Sequence, residues 1–357
     1  MSQQQADDQS GLIMYLSRQS LPIRLTAFFV FIILIVGVIV GITGGLYYAN
    51  VANFPRLMPI GVAEGTSAEE FAVFTDDEAY PAAVTSSEDG TLYTGSFAHG
   101  TVWRVNPAGT IAELPDTRSL IGSVIGLDVA SDGTLYILDH VEALTASGAK
   151  VWRLPLDGDL ELIFEGDSSL ISNPNDIAVD TSGRVYISDI GGGQILRING
   201  TETSIWWSAP NETYLISGLA YNPLNDTLLV TDANQITVYE IPVSAENPET
   251  ARQTIFTLMD SSVDAPFFNG VDIADDGTVY VAALDANEIW RIDGADAYTI
   301  IAGNYRGSSD VAYDSANNRL YVNNWDQSWL SPIPIFVIEV KFAPRLPFSV
   351  DVVNLGS

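Results

Sequence analysis

Near the start of the stretch NPNDIAVDTSGRVYISD, Asn175 and Asp176 set an amide and a carboxylate side by side, just ahead of an apolar run. Two later stretches put oxygen donors at matching places: Asn269 in FNGVDIADDG and Asp310 in SSDVAYDSANN. A hard cation such as Ca2+ takes about six to eight oxygen ligands, usually with negative charge among them. If Asn175, Asp176, Asn269 and Asp310 meet at one point, they form a candidate cation site. Asp139, Asp189 and Asp232 close the runs that follow such stretches. They either join the site or accept hydrogen bonds from their own turns. Other chemistry is sparse. His99 and His140 are the two histidines, and His140 beside Asp139 is a candidate base. There is no cysteine, no GxSxG and no HExxH, and Gly191 to Gly193 reads as a turn.

What must position these residues is a repeat. Anchored on the turn glycine, PAAVTSSEDG, VIGLDVASDG, NPNDIAVDTSG, ISGLAYNPLND, FNGVDIADDG and SSDVAYDSANN align. Each leads into a β-type run: TLYTGS, TLYILD, RVYISD, TLLVTD, TVYVAA and RLYVNN. A third run reads apolar, bulky, charged, apolar, centred on Trp103, Trp152, Leu196, Tyr239, Trp290 and Ile338, 43 to 51 residues apart. Period-2 alternation, polar turns and a repeat of about 40–50 residues specify an all-β, six-bladed β-propeller with four-stranded blades. Outer strands follow five units, and Glu70 to Thr75 is the segment expected to complete blade six and close the ring, with Phe348 to Leu355 as its competitor. Trp103, Trp152 and Trp290 share one register and read as packing. Of the adjacent Trp206 and Trp207, one is expected to face outward, either as a docking residue or covered by the next blade.

In a propeller the inner strands all begin at one mouth of the axial tunnel. The first column there reads Ala82, Ile125, Asn175, Ser217, Asn269 and Ser309. The next reads Ala83, Gly126, Asp176, Gly218, Gly270 and Asp310.

Over about residues 69–341 the units resemble the gluconolactonase-like superfamily, which includes senescence marker protein and luciferin-regenerating enzyme, with overlap toward NHL-repeat propellers. PNDIAVDTSGRVYISD is the most specific stretch. The resemblance implies a lactonase with a divalent cation, often calcium, held by the first column. Carried over, Asn175 matches an Asn of that pattern. The first-blade Glu falls on Ala82, the next Asn on Ser217 and the Asp on Asn269. A column without a carboxylate departs from the lactonase pattern.

Ahead of the repeats, Leu25 to Tyr48 carries no charge. At ~1.5 Å per residue it reaches across a hydrocarbon layer of about 30 Å, and it is longer than a signal-peptide core. The expected organisation is a cytoplasmic segment at 1–24, a single transmembrane helix at 25–48, a juxtamembrane linker at 49–68, the propeller at 69–341 and a C-terminal tail at 342–357. Arg18 and Arg24 precede the helix and put the N-terminus in the cytoplasm, with the propeller extracytoplasmic. Gly37, Gly41 and Gly45 recur every fourth residue, a stripe on which a second helix can pack, from a copy or from another membrane subunit. With 45 Asp+Glu against 15 Lys+Arg, the net charge of −30 excludes nucleic acid as a partner.

Two functions remain open. One is a binding or scaffold subunit of a membrane-associated assembly, favoured by the striped anchor and the altered column. The other is a cation-dependent hydrolase of lactones or related esters, favoured by the resemblance and the nearby aspartates.

Overall fold

The computed structural model describes residues 19–51, 56–143, 145, 147–259, 266–326, 333–335, 338–340 and 344–356. The chain divides into two compact units, Met1–Arg56 and Leu57–Ser357. The first contains an α-helix at Leu21–Val51. Its proline, Pro22, stands in the first turn, where no intrahelical amide is lost. Thr26 and Thr43 return their hydroxyls to Pro22 O and Ile39 O, at 3.0 and 2.6 Å. The span Leu21–Gly45 has a mean hydropathy of 3.1, long and apolar enough to cross a membrane, a character that a signal sequence shares. A Cβ placed on Gly37, Gly41 or Gly45 would meet nothing within 4 Å. Most of the segment expected along the cytoplasmic face, residues 1–18, lies outside the described residues.

The second unit is a six-bladed propeller. Its innermost strands are Pro81–Ser86, Val124–Val129, Pro174–Val179, Ile216–Asn222, Phe268–Ile273 and Val311–Asp314. Each opens an antiparallel four-stranded blade. Blade five gains a short fifth strand, Ile60–Gly61, paired with Gly303 and Ala302. Along the third strands, alternate side chains turn toward opposite neighbours, so the hydrophobic core is shared out as a cluster at every seam. Trp103 packs with Tyr321 and Phe348 between blades six and one, and Trp152 with Val102 and Val124 between one and two. Trp290 packs with Val238 and Phe256 between blades four and five.

Ring closure follows the expected route. Ser67–Val73 is the outer strand of blade six and pairs with Ser349–Asn354, from Ser67↔Asn354 to Val73↔Ser349. Two expected boundaries change. Ser349–Asn354 is the third strand of blade six, seated between Arg319–Asn323 and Ser67–Val73, so residues 342–357 are not a tail. The run expected there, Val337 to Val340, is different: Ile338–Val340 pairs only with Ile333–Ile335 in a separate hairpin, and Val337 lies outside the described residues. Both runs alternate, but SVDVVN has pairing partners on both sides and buries five successive side chains. At the other end, residues 57–68, read as linker, already belong to the propeller unit.

For Trp206 and Trp207 the alternative of cover by the next blade holds, both packing in one cluster with Leu219 and Tyr239 of blade four. Both are buried, and the exposed neighbour is Ile205. The pairing register slips between Ile195↔Trp207 and Leu196↔Ile205, a bulge at Trp206 that lets two successive indoles turn inward. Trp207 Nε1 donates to Glu249 Oε2 at 2.7 Å.

Candidate functional site at the propeller axis

The first two columns meet as the repeat requires. Ala82, Ile125, Asn175, Asp176, Asn269, Gly270, Ser309 and Asp310 line one small axial void of about 10 Å³, room for a single water or ion. Asn175 Nδ2 donates to Asn269 Oδ1 at 2.7 Å across the axis. Ser217, also of this column, is spent elsewhere: its hydroxyl donates to Phe268 O of the next blade at 2.8 Å. Ser309 donates to Ala82 O at 2.9 Å.

Each axial carboxylate ties its own strand to the next blade. Asp176 Oδ1 accepts from Ile177 N at 2.8 Å, and its Oδ2 accepts from Leu219 N of blade four at 2.8 Å. Asp310 does the same with Val311 N at 2.9 Å and Val84 N of blade one at 2.8 Å. Two residues deeper lies a second pair that the sequence reading did not single out. Asp128 Oδ2 accepts from Val179 N, and Asp272 Oδ2 from Tyr313 N, both at 2.7 Å. The signal was legible: Asp128 and Asp272 sit at the same place in GLDV and GVDI, two residues past the glycine and so on the same strand face. The glycines of the second column have a steric cause. A Cβ on Gly270 would collide with Asp310 Oδ1, and one on Gly218 with Asn269 O.

Four carboxylates around one axis disfavour ionisation. Burial, followed by repulsion from Asp310, raises the Asp176 pKa well above the ordinary value. Burial does the same to Asp310, although the Val84 and Val311 amides oppose it. Burial pushes Asp128 up to about 7 and Asp272 up to about 6.

The strand-end aspartates are not part of this ring. Asp139 accepts from Ser123 N at 3.0 Å, Val141 N at 2.8 Å and Trp152 Nε1 at 3.2 Å. Asp189 accepts from Asn173 N at 2.9 Å and Gly192 N at 3.0 Å, and Asp232 from Leu215 N at 3.1 Å. They order their own loops and line neither axial void. His140 is buried, with Nε2 against Asn173 Oδ1 at 2.9 Å and Nδ1 against Glu142 O at 3.1 Å. It packs edge-on to Phe97 and faces neither void. His99 contacts Asp76 at 3.2 Å, and burial lowers its pKa.

At the opposite mouth, where the first and second strands of each blade join, the tunnel widens into a chamber of about 640 Å³. Asp128, Asp176, Asp272 and Asp310 all border it, so Asp176 and Asp310 form a wall common to both voids. Among the described residues no group of three or more Asp, Glu, His or Cys side chains stands ready for a metal. An axial cation would therefore have to draw on amide oxygens beside the two carboxylates.

No curated protein matches the sequence. Among solved structures, a gluconolactonase from Xanthomonas campestris superposes with a TM-score of 0.58 at 14% identity, over 85% of this chain and 99% of that one. A luciferin-regenerating enzyme gives 0.56 at 16% identity, over 84% and 95%. Virginiamycin B lyase from Staphylococcus aureus gives 0.52 at 16% identity, over 81% and 99%. At such identities these likenesses speak for the fold alone. The sequence itself matches the SMP-30/Gluconolactonase/LRE-like region across residues 82–323, from the first inner strand to the second strand of blade six. The chain is therefore a member of the SMP-30/gluconolactonase/LRE-like family.

Proposed function

We propose that the propeller is a cation-dependent hydrolase of the gluconolactonase class, acting on a lactone or related ester at the tunnel axis. The observation that carries this reading is the convergence of Asn175, Asp176, Asn269 and Asp310 on one ion-sized void. Two carboxylates and two amides make a hard-cation donor set, with charge supplied by the second column instead of the first. Backbone amides favour the charged form of Asp176 and Asp310, while burial and mutual repulsion oppose it, and a divalent cation removes that conflict. Once bound, such a cation polarises a carbonyl and acidifies water.

The chain's own residues set the rest. Asp176 and Asp310 face the chamber as well, so a carbonyl admitted from that mouth meets them directly. Calorimetric titration of the full chain with Ca2+ tests the site, expecting binding that Asp310→Asn weakens at least about tenfold. Turnover of a lactone panel tests the activity. No heat and no turnover would remove the reading.

A scaffold role, with the propeller outside the membrane, remains the competing reading. Ala82 at the family's first-blade position favours it, as does the bare Gly37, Gly41 and Gly45 face. Co-purification of a membrane partner in mild detergent would support it.

A further inference from the structure

The chamber is not symmetric about the axis. From blades five and six it is lined only by innermost-strand residues, whereas toward blades one and two it runs outward to Tyr93, Arg104, Asn106 and Leu156. This outward arm follows the seam between blades one and two. Carboxylate ties cross the seams two–three, three–four, five–six and six–one. Blade one has Ala83 and Thr85 at the corresponding places and sends none to blade two. Blade four has none either, but Ser217 and Thr231 hydroxyls hold its seam through Phe268 O and Asn269 O, at 2.8 and 2.7 Å. At the one–two seam, the hydroxyl contact is Ser123 Oγ to Phe97 O at 2.6 Å. Ser123 and Phe97 border neither void, and this contact belongs to the start side; on the chamber side the seam is held by apolar packing that includes Tyr93, Leu127 and Val129, and the arm runs over it.

We propose that the arm over this seam is a binding slot for a small organic cation, an alkyl amine whose stem lies along the line where blades one and two meet and whose ammonium points toward Asp128. Acidity alone would not define a site. Here it lies at the inner end of a cavity whose volume falls in the range of small-molecule pockets. Leu127, Val129 and Leu156 provide apolar surface for a methylene chain, and Tyr93 adds an aromatic ring to the same wall. Arg104 is the one basic side chain on the wall, which also carries Glu88, Asp89, Asp132 and Asp180. An anion entering the slot is therefore repelled, and a neutral diol gains no charge pairing.

The slot does not depend on the hydrolytic reading, and its test needs neither Ca2+ nor turnover. The full chain in a nonionic detergent is titrated calorimetrically with diaminopentane, pentanediol and glutarate at matched ionic strength. Diaminopentane is expected to bind at least about tenfold more tightly than the other two. Leu156→Trp changes an exposed side chain, preserves every charge and fills the outer slot. It should weaken the amine at least about tenfold with an unchanged melting temperature, while Arg104→Gln should strengthen binding about threefold. Equal affinity for amine and diol would overturn the proposal, as would no binding of the amine. Amine binding indifferent to Leu156→Trp would also overturn it, since that is attraction to the acidic surface as a whole.

Discussion

The carboxylate of Asp310, in the last blade, accepts the backbone N–H of Val84, in the first, at 2.8 Å. Half a turn around the axis Asp176 does the same for Leu219, so side chains tie the innermost layer of the ring beside the backbone bond from Gly270 N to Ser309 O. Asp128 and Asp272 repeat the device one layer deeper. Ring closure thus has two parts: an outer one through Ser67–Val73 and an inner one through buried aspartates.

Asp310→Ala leaves the amides of Val84 and Val311 without their side-chain acceptor. Each orphaned amide costs about 1–3 kcal/mol, so denaturant unfolding should show a large loss in midpoint. Asp310→Asn keeps one acceptor and loses less. A loss below about 0.5 kcal/mol for the alanine variant would mean that water replaces the tie.

The pH dependence has a definite sign. A carboxyl whose folded-state pKa stands above its unfolded value holds its proton more tightly in the native state. Its stabilising effect is complete below the unfolded value and is lost as pH rises through the folded one. For Asp128 this window runs from 3.8 to about 7, and for Asp272 from 3.8 to about 6. Melting temperature should therefore fall between pH 5 and pH 8. Asp89 and Asp132, whose pKa values are lowered by their own turns, act below that range. The slope should be shallower in Asp128→Asn, which separates the axial effect from repulsion across the acidic surface. A profile flat in wild type, or equally steep in the variant, would contradict the assignment.

Residues 349–354 give a sharper structural test and show where the sequence misleads. Repeat spacing was enough to fix six blades, the closing strand and the columns holding Asn175, Asp176, Asn269 and Asp310, because inner-strand register is set by turn length. It failed in blade six, where Val337 to Val340 fits the local pattern better than SVDVVN does. Local pattern cannot report which run finds partners on both edges. Asp351 occupies the place of an apolar residue and accepts from Asn324 Nδ2 at 2.7 Å and Ser349 Oγ at 2.9 Å. At Trp206 and Trp207 a bulge breaks the parity on which the reading relied. Truncation after Pro347 should abolish cooperative unfolding, because it strips blade six of its third strand and frees Ser67–Val73. Retention of the native transition would show that the hairpin of Ile333–Ile335 and Ile338–Val340 can substitute.

Orientation across a membrane can be read from the chain's own acceptor sites. Asn199-Gly-Thr, Asn211-Glu-Thr and Asn225-Asp-Thr all place an exposed asparagine in a glycosylation sequon. They are not equivalent. Asn225 Nδ2 is engaged by Glu240 Oε1 at 3.1 Å, and Asn199 ends a paired strand. Asn211 lies in an exposed loop, with Thr213 N donating to its Oδ1 at 2.9 Å, which leaves the amide nitrogen outward. Arg18 and Arg24, on the N-terminal side of the uncharged run, predict a cytoplasmic N-terminus, so the propeller should enter the lumen of microsomes during translation. The product should then gain glycan first at Asn211, removable by endoglycosidase and reduced in Asn211→Gln. It should also resist protease added outside, and alkaline extraction should leave it in the membrane if the Leu21–Val51 helix is retained as an anchor. An unglycosylated propeller digested from outside would reverse the orientation. A glycosylated product released by alkali would instead make the helix a cleaved leader.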